Sequence, residues 1–152
     1  MSDAFSEEYD EDFIEDEHIE VRSFIAGDLE DVWQHWVDAE LLAIWWWPMF
    51  DDTRYEIDAQ VGGVYRIHTV TGGIAVSGEF TEVVDGKRLE FSWHWSGESG
   101  ESSVSVAFAE GDGGTVVTVT QTGIAYDEVD PLTEGWEDVL TRLEERFDEL
   151  NA

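Results

Sequence analysis

The pattern that establishes the fold class lies in residues 85–96, DGKRLEFSWHWS. Apolar and polar side chains alternate along it, which is typical of a β-strand that buries one face. The Asp85-Gly86 pair in front of this strand is a strong signal for a tight hairpin turn. We therefore expect an antiparallel hairpin whose second strand turns one aromatic-rich face toward a core. That face consists of Leu89, Phe91, Trp93 and Trp95.

The same period of two continues on both sides of the hairpin. Strands are predicted at 55–57, 65–67, 74–84, 87–95, 103–109 and 115–121. Glycine-rich turns separate several of them, at Gly62-Gly63, Gly72-Gly73 and 111–114. Every connection from Gly62 onward is short, and short connections join antiparallel neighbours. The central part of the chain is therefore predicted to be an antiparallel meander.

One strand and two short helices are predicted ahead of the meander. Residues 18–25 alternate and form the strand, which Gly27-Asp28 ends. Asp28 is expected to cap a first helix, because Asp31 follows three residues later and apolar side chains then recur at helical spacing. A second short helix begins at Asp38 and must end by Pro48, which cannot continue it.

A long helix is predicted at the C-terminus. Asp130 is expected to cap it, with Pro131 at its first position. About 20 residues at 1.5 Å each give a rod of roughly 30 Å. Gly135 inside this helix costs about 1 kcal/mol relative to alanine, so we expect close packing against another element there. The apolar stripe consists of Leu132, Trp136, Val139, Leu140, Leu143, Phe147 and Leu150.

The charge indicates where the protein works. The chain carries 37 Asp plus Glu against 7 Lys plus Arg, a net charge of -30 in 152 residues. Such self-repulsion destabilises a compact state, and molar salt screens it by shortening the Debye length to about 3 Å. Because the acids are spread along the whole chain, we interpret them as adaptation to the cytosol of an extreme halophile. An acidic interaction protein or a disordered acidic tail is the alternative. The same charge disfavours nucleic acids and anionic membranes as partners.

Composition narrows the class further. Apolar residues make up 42% and aromatic residues 13% of the chain, enough for a real core in one domain. Cysteine is absent, which excludes disulfides and thiolate zinc sites. Residues 1–17 are acidic and lack the basic start of a signal peptide. We expect them to be a solvated, disordered tail before a domain at 18–152; a docked amphipathic segment is the alternative. With no apolar run of the roughly 20 residues that span a bilayer, we expect a cytoplasmic protein that does not insert into membranes.

Several short motifs occur in an order typical of one family. They are VRSFIA at 21–26, DVW at 31–33, WWWP at 45–48, GGVYR at 62–66, GEF at 78–80, RLEFSW at 88–93, GTVV at 114–117 and GW at 135–136. With the predicted elements, they resemble the SRPBCC superfamily, of the START and birch-pollen-allergen type. Within it, the chain is similar to the C-terminal domain of the activator of heat-shock protein 90 ATPase, over residues 18–150.

The resemblance implies a helix-grip fold of the α+β class. A curved antiparallel sheet of about seven strands, with two short helices after the first, would wrap around the long C-terminal helix. A cavity between sheet and helix would bind a small hydrophobic or amphipathic ligand; the alternative is that the same side chains fill a closed core. The residues expected to line this cavity are Trp45, Trp46, Tyr55, Tyr65, Ile67, Phe80, Phe91, Trp93, Trp95, Val106, Phe108, Val119, Gln121, Trp136, Leu140 and Leu143.

The tryptophan run Trp45-Trp46-Trp47 is a candidate lid for the cavity entrance. Three adjacent rings cannot all face one side of a helix, so at least one should turn toward the opening or toward solvent. The alternative is that two rings pack in the core and one is merely exposed.

Sequence motifs for catalysis and cofactors are missing. The four histidines are not at metal-ligand spacing, and neither a nucleophile elbow nor a nucleotide-binding loop occurs. We expect no metal, no cofactor and no catalytic residue. Three functions stay open: binding of a small apolar ligand, a co-chaperone-like protein-interaction module, and a cyclase-like or hydrolase-like enzyme that would use inward polar groups. The inward polar candidates are Tyr55, Tyr65 and Gln121. The oligomeric state is left open.

Overall fold

The computed structural model describes residues 17–98 and 100–152. The predicted acidic tail lies outside the described residues, apart from Glu17, which begins the first strand. In chain order the elements are β1 (Glu17–Ile25), α1 (Leu29–Val37), α2 (Ala39–Trp45), β2 (Arg54–Ile57), β3 (Val64–Thr69), β4 (Ile74–Val84), β5 (Arg88–Trp95), β6 (Ser102–Gly111), β7 (Gly114–Ile124), a short 3-10 helix (Tyr126–Glu128) and α3 (Val129–Asn151).

The strands form one 7-stranded antiparallel sheet in the order β1-β7-β6-β5-β4-β3-β2. The meander from β2 to β7 is consecutive, as predicted, while β1 returns to pair with β7. With two short helices after β1 and a long helix at the C-terminus, this is the helix-grip α+β fold, and the predicted fold class is confirmed.

Alternation on β5 places its side chains as predicted. Leu89, Phe91 and Trp93 are buried, and Trp95 is half-buried at the end of the strand. Phe91 pairs with Phe80 across the β4–β5 ladder, where the register shifts after Phe80. Such a bulge bends a strand and increases its twist, which helps the sheet to curve around α3.

The long helix begins slightly earlier than expected. It runs for 23 residues from Val129 and follows directly on the 3-10 helix. Glu128 accepts a hydrogen bond from the Ala125 N–H at 2.8 Å, which fixes this turn before the helix. Pro131 therefore lies inside the first turn, where its missing N–H has no intrahelical acceptor to lose. No helix among the described residues is long and apolar enough to cross a membrane.

The two short helices are capped differently. Asp28 occupies the position before α1, but its side chain makes no hydrogen bond to the helix, so the predicted side-chain cap is wrong. Asp38 precedes α2 and accepts from the N–H groups of Glu40 at 2.8 Å and Leu41 at 3.3 Å. The tight corner between α1 and α2 is thus stabilised by Asp38. Together the two helices cover one part of the concave sheet face.

Candidate ligand-binding site

The core beneath α1 and α2 is filled. The void that remains there measures about 30 Å³, which is room for about one water molecule and too small for a ligand. The rings of Phe80 and Phe91 lie 5.5 Å apart, and Tyr65 lies 5.2 Å from Phe91. Six of the predicted lining residues line this small void. Tyr65, Ile67, Phe80 and Phe91 line it alone, whereas Trp46 and Trp93 also line the larger cavities described below.

Six further predicted lining residues also belong to the packed core. All are buried, and none lines either of the larger cavities described below. Phe108, for example, packs edge-on against Trp33 at 5.2 Å and Trp36 at 5.9 Å. The six residues are Trp45, Val106, Phe108, Val119, Leu140 and Leu143.

Open space lies instead at the N-terminal end of α3. An inner cavity of about 150 Å³ adjoins an outer cavity of about 420 Å³, and Trp93, Trp95 and Leu132 line both. The inner cavity is further lined by Trp46, Trp47, Pro131, Gly135, Trp136 and Val139. The outer cavity is further lined by Glu98, Gly100, Glu101, Ser102, Gln121, Gly123, Ala125, Asp127 and Glu128. Of the sixteen predicted residues, this site brings together Trp46, Trp93, Trp95, Gln121 and Trp136.

The tryptophan run divides as its geometry requires. Trp45 and Trp46 are buried, whereas Trp47 is half-buried and stacks on Trp95 with ring centroids 6.5 Å apart and planes at 14°. The Trp47–Trp95 pair forms one wall of the inner cavity. The sequence analysis gives all three tryptophans as a candidate lid but counts only Trp45 and Trp46 among the lining residues. In the structure Trp46 and Trp47 line the inner cavity, and Trp45 packs in the core.

The backbone of the tryptophan run is fixed by two side chains. Arg142 on α3 donates from Nε to the Trp45 carbonyl at 3.0 Å and from Nη2 to the Trp46 carbonyl at 2.6 Å. Burial lowers the pKa of Arg142. The Tyr55 hydroxyl accepts from the Trp47 N–H at 3.0 Å, and burial raises the pKa of this phenol. Tyr55 therefore positions the Trp47 backbone and does not line the two cavities.

A buried amide holds the floor of the site. Gln121 is fully buried, accepts from the Trp136 indole N–H at 2.8 Å and donates to the Ser102 hydroxyl oxygen at 2.8 Å. These two bonds fix both the amide orientation and the Trp136 ring. Because the Ser102 oxygen accepts this bond, its own hydrogen is free to donate to a group in the outer cavity. The sequence analysis missed Ser102, which the sheet register places opposite Trp93.

Gly135 has a different role from the one expected. A Cβ built at Gly135 would meet no heavy atom within 4 Å, so the predicted close packing against another element is wrong. The residue instead lines the inner cavity. A glycine inside a helix is unfavourable by about 1 kcal/mol relative to alanine. Gly135 is exposed, and its Cβ position faces open space at the edge of this cavity.

Two buried donors beside the inner cavity have no acceptor among the described residues. They are the indole N–H groups of Trp46 and Trp93. The indole N–H of Trp36, on α1, likewise has no acceptor among these residues. A buried donor without an acceptor costs about 1–3 kcal/mol. The nitrogen atoms themselves are inaccessible to solvent, so this cost belongs to the packing of the indole rings.

Other inward polar groups are occupied within the protein. The Tyr65 hydroxyl donates to the Ser92 carbonyl at 2.7 Å, and burial raises the pKa of this phenol far above its usual range. Within residues 17–98 and 100–152, no group of three or more histidines and acids is placed to hold a metal ion. The inner cavity is therefore mostly aromatic and apolar, whereas four carboxylates, Gln121 and Ser102 line the outer cavity.

Solved structures of low sequence identity share this fold. DynU16, from the dynemicin biosynthetic locus, gives a TM-score of 0.76 at 24% identity over 88% of this chain, but the match spans only 48% of DynU16. Protein MLL2253 from Mesorhizobium loti gives a TM-score of 0.76 at 20% identity, over 88% of this chain and 98% of that one. CalU16 from Micromonospora echinospora gives 0.67 at 21% identity, over 83% of this chain and 73% of that one. At these identities the likeness concerns the fold alone.

Family membership rests on a match of the sequence to a family profile. No curated protein matches the chain. The sequence profile of the family described as "Activator of Hsp90 ATPase homolog 1-like protein" matches residues 27–148. This span begins just before α1 and ends within α3, so it contains every wall of the two cavities. The chain therefore belongs to the family of activator of Hsp90 ATPase homolog 1-like proteins.

Proposed function

We propose that this domain binds a small apolar or amphipathic molecule in the inner and outer cavities, within a high-salt cytosol. Family membership supports a ligand-binding domain. The observation that carries the proposal is the aromatic opening at one end of an otherwise filled core. The outer cavity, at about 420 Å³, lies within the range of about 300–1,000 Å³ of small-molecule sites.

The residues divide into walls, floor and lid. Trp93, Trp136 and Leu132 form apolar walls, and the Gln121–Ser102 pair supplies a polar floor. The Trp47–Trp95 stack forms part of the wall of the inner cavity, and in this proposal it acts as the lid. Both rings of this stack are half-buried, whereas Trp45 and Trp46 are buried and their carbonyls accept from Arg142.

A cavity-filling variant tests the proposal. Tryptophan fluorescence is followed in molar KCl while neutral aromatic and alkyl alcohols are added. Gly135→Leu places a side chain in the inner cavity, and we expect it to weaken saturable binding at least about tenfold while the helix stays intact. Glu137→Leu, exposed on the same helix, adds the same side chain away from the site. Equal binding by the wild type and both variants would contradict the proposal.

A salt titration tests the high-salt setting separately. A net charge of -30 should make the unfolding midpoint rise steeply as KCl increases from about 0.15 M to above 1 M, because the Debye length falls from about 8 Å to about 3 Å. Thermal unfolding followed by circular dichroism measures this midpoint. A midpoint that does not change with salt would contradict a halophilic origin and leave the cavity proposal untouched.

A protein-interaction module is the second candidate function. Exposed apolar side chains at both ends of β3 favour it: Val61 on the connection before this strand, Val64 at its first position, and Val70 directly after it, which is 84% exposed. If this function is correct, Val70→Ser would weaken partner binding while Gly135→Leu would not. The two variants therefore separate the two functions.

A further inference from the structure

We propose that the ligand is an organic cation, an apolar body that carries an amine or quaternary ammonium group. This inference rests on the proposed function and names the chemical class of its ligand. The argument combines the charge at the rim of the outer cavity with the kind of wall beneath it.

The rim of the outer cavity is uniformly negative. Four carboxylates line it, from Glu98, Glu101, Asp127 and Glu128, and no lysine or arginine of the described chain does. The two arginines of α3 act elsewhere: Arg142 donates to backbone carbonyls and Arg146 contacts His35. An anionic ligand would be repelled by these four charges, whereas a cation would be attracted by them.

The wall below the rim suits the same charge. Trp93 and Trp95 meet edge to face at 5.3 Å, and Trp95 also stacks on Trp47. Indole faces attract ammonium groups more strongly than other aromatic rings do, by about 0.5–2 kcal/mol depending on desolvation. Carboxylates above indole rings form a site in which a cation exchanges its hydration for both kinds of contact.

The inner part of the site suits an apolar body. Trp93 lines both cavities and is 6% exposed, and Trp136 and Val139 extend the apolar wall of the inner cavity. The ligand is thus a cation at the rim with an apolar body inside.

The test must separate this site from the general attraction of a chain with a net charge of -30. Three probes share one body and differ in charge: 4-phenylbutylamine, 4-phenylbutanol and 4-phenylbutyrate. Each is titrated by tryptophan fluorescence at about 0.15 M and at about 1 M KCl, where the Debye length falls to about 3 Å. Long-range attraction disappears at the higher salt, and direct contact in the cavity remains.

We expect the amine to bind about tenfold more tightly than the alcohol at both salt concentrations, and the carboxylate more weakly than either. The double variant Glu98→Gln, Glu101→Gln should reduce the amine's advantage. The matched pair Glu137→Gln, Glu149→Gln, exposed on α3 outside both cavities, should leave it unchanged. Both variants remove two negative charges, so a difference between them cannot come from the change in net charge.

Three outcomes would overturn the inference. The amine's advantage could vanish at high salt, or fall equally in the control pair, and it would then belong to the whole surface. The alcohol could bind as tightly as the amine while Gly135→Leu weakens both, which would keep the cavity and refute the cationic class. If no probe binds and Gly135→Leu changes nothing, the proposed function itself fails.

Discussion

The concave face of the sheet has two regions that are both rich in aromatic side chains, one closely packed and one open. Beneath α1 and α2, rings of β3, β4 and β5 interlock and leave about 30 Å³. Next to the N-terminal end of α3, rings of β5 and α3 leave an inner cavity of about 150 Å³ that continues outward. The difference lies in what covers each region: two helices with large side chains in one, and a helix with glycine at position 135 in the other. Aromatic richness alone therefore does not indicate a binding site.

The largest expected effect contrasts truncations in the two regions. Phe91→Ala removes a ring from the filled core and should lower the free energy of unfolding by about 3–5 kcal/mol. Trp95→Ala, in a half-buried ring at the cavity wall, should cost much less because solvent can occupy the space. Denaturant unfolding in molar KCl measures both, and equal losses would mean that the two regions are packed alike.

A polar substitution addresses the floor of the open region. Gln121→Leu keeps the bulk but leaves the Trp136 indole N–H without its acceptor, so we expect a loss of about 1–3 kcal/mol. Ser102→Ala removes only the second bond of Gln121 and should cost less. If both variants unfold at the wild-type denaturant concentration, the buried amide does not hold the floor.

Gly135→Ala should act in the opposite direction. The added methyl group meets no atom within 4 Å, and alanine favours the helix by about 0.5–1 kcal/mol. The variant should therefore unfold at a higher temperature than the wild type. A lower unfolding temperature would show that the space above Gly135 is closed in solution.

The smallest effect concerns His35, on the filled side. Burial lowers its pKa; Nδ1 lies 2.8 Å from the Asp31 carbonyl, and Nε2 lies 3.2 Å from Arg146 Nε. The ring therefore donates from Nδ1 and accepts at Nε2. Because the unfolded chain binds the proton more readily, the neutral ring contributes stability above about pH 6.5, and this is lost as the pH falls toward the folded-state pKa.

His35→Gln is the matched variant for that measurement. The measurement is made in molar KCl, which screens the interactions between His35 and the many carboxylates. Under these conditions the wild type should lose stability relative to His35→Gln on acidification below about pH 6.5. Unfolding curves collected at several pH values measure the difference. Parallel pH profiles would show that His35 keeps its ordinary pKa.

The sequence predicted the sheet far better than the site. Alternation in β5 and glycine-rich turns specify which side chains face inward and which strands are neighbours. Whether an inward residue fills the core or lines a cavity depends on the element opposite, which the pattern of one strand does not contain. Phe80 and Trp93 both face inward and both line the small void, but only Trp93 also lines the two larger cavities.

Gly135 shows what the sequence did contain. Its cost inside a helix was a signal that something required it, but sequence alone could not distinguish close packing from an open cavity. Trp47 was likewise visible in the run, yet only the stack with Trp95 shows which of the three rings faces the opening. The carboxylates at the rim were hidden among 37 acids.

The pairing of β1 with β7 also has a consequence for synthesis on the ribosome. Ile19 pairs with Gln121, so the first strand to emerge must wait for the last one before its hydrogen bonds can form. Long-range pairing of this kind slows folding and leaves an unpaired strand exposed to other nascent chains. The strand carries Glu17 and Glu20, and strong mutual repulsion between acidic chains opposes their association during that interval.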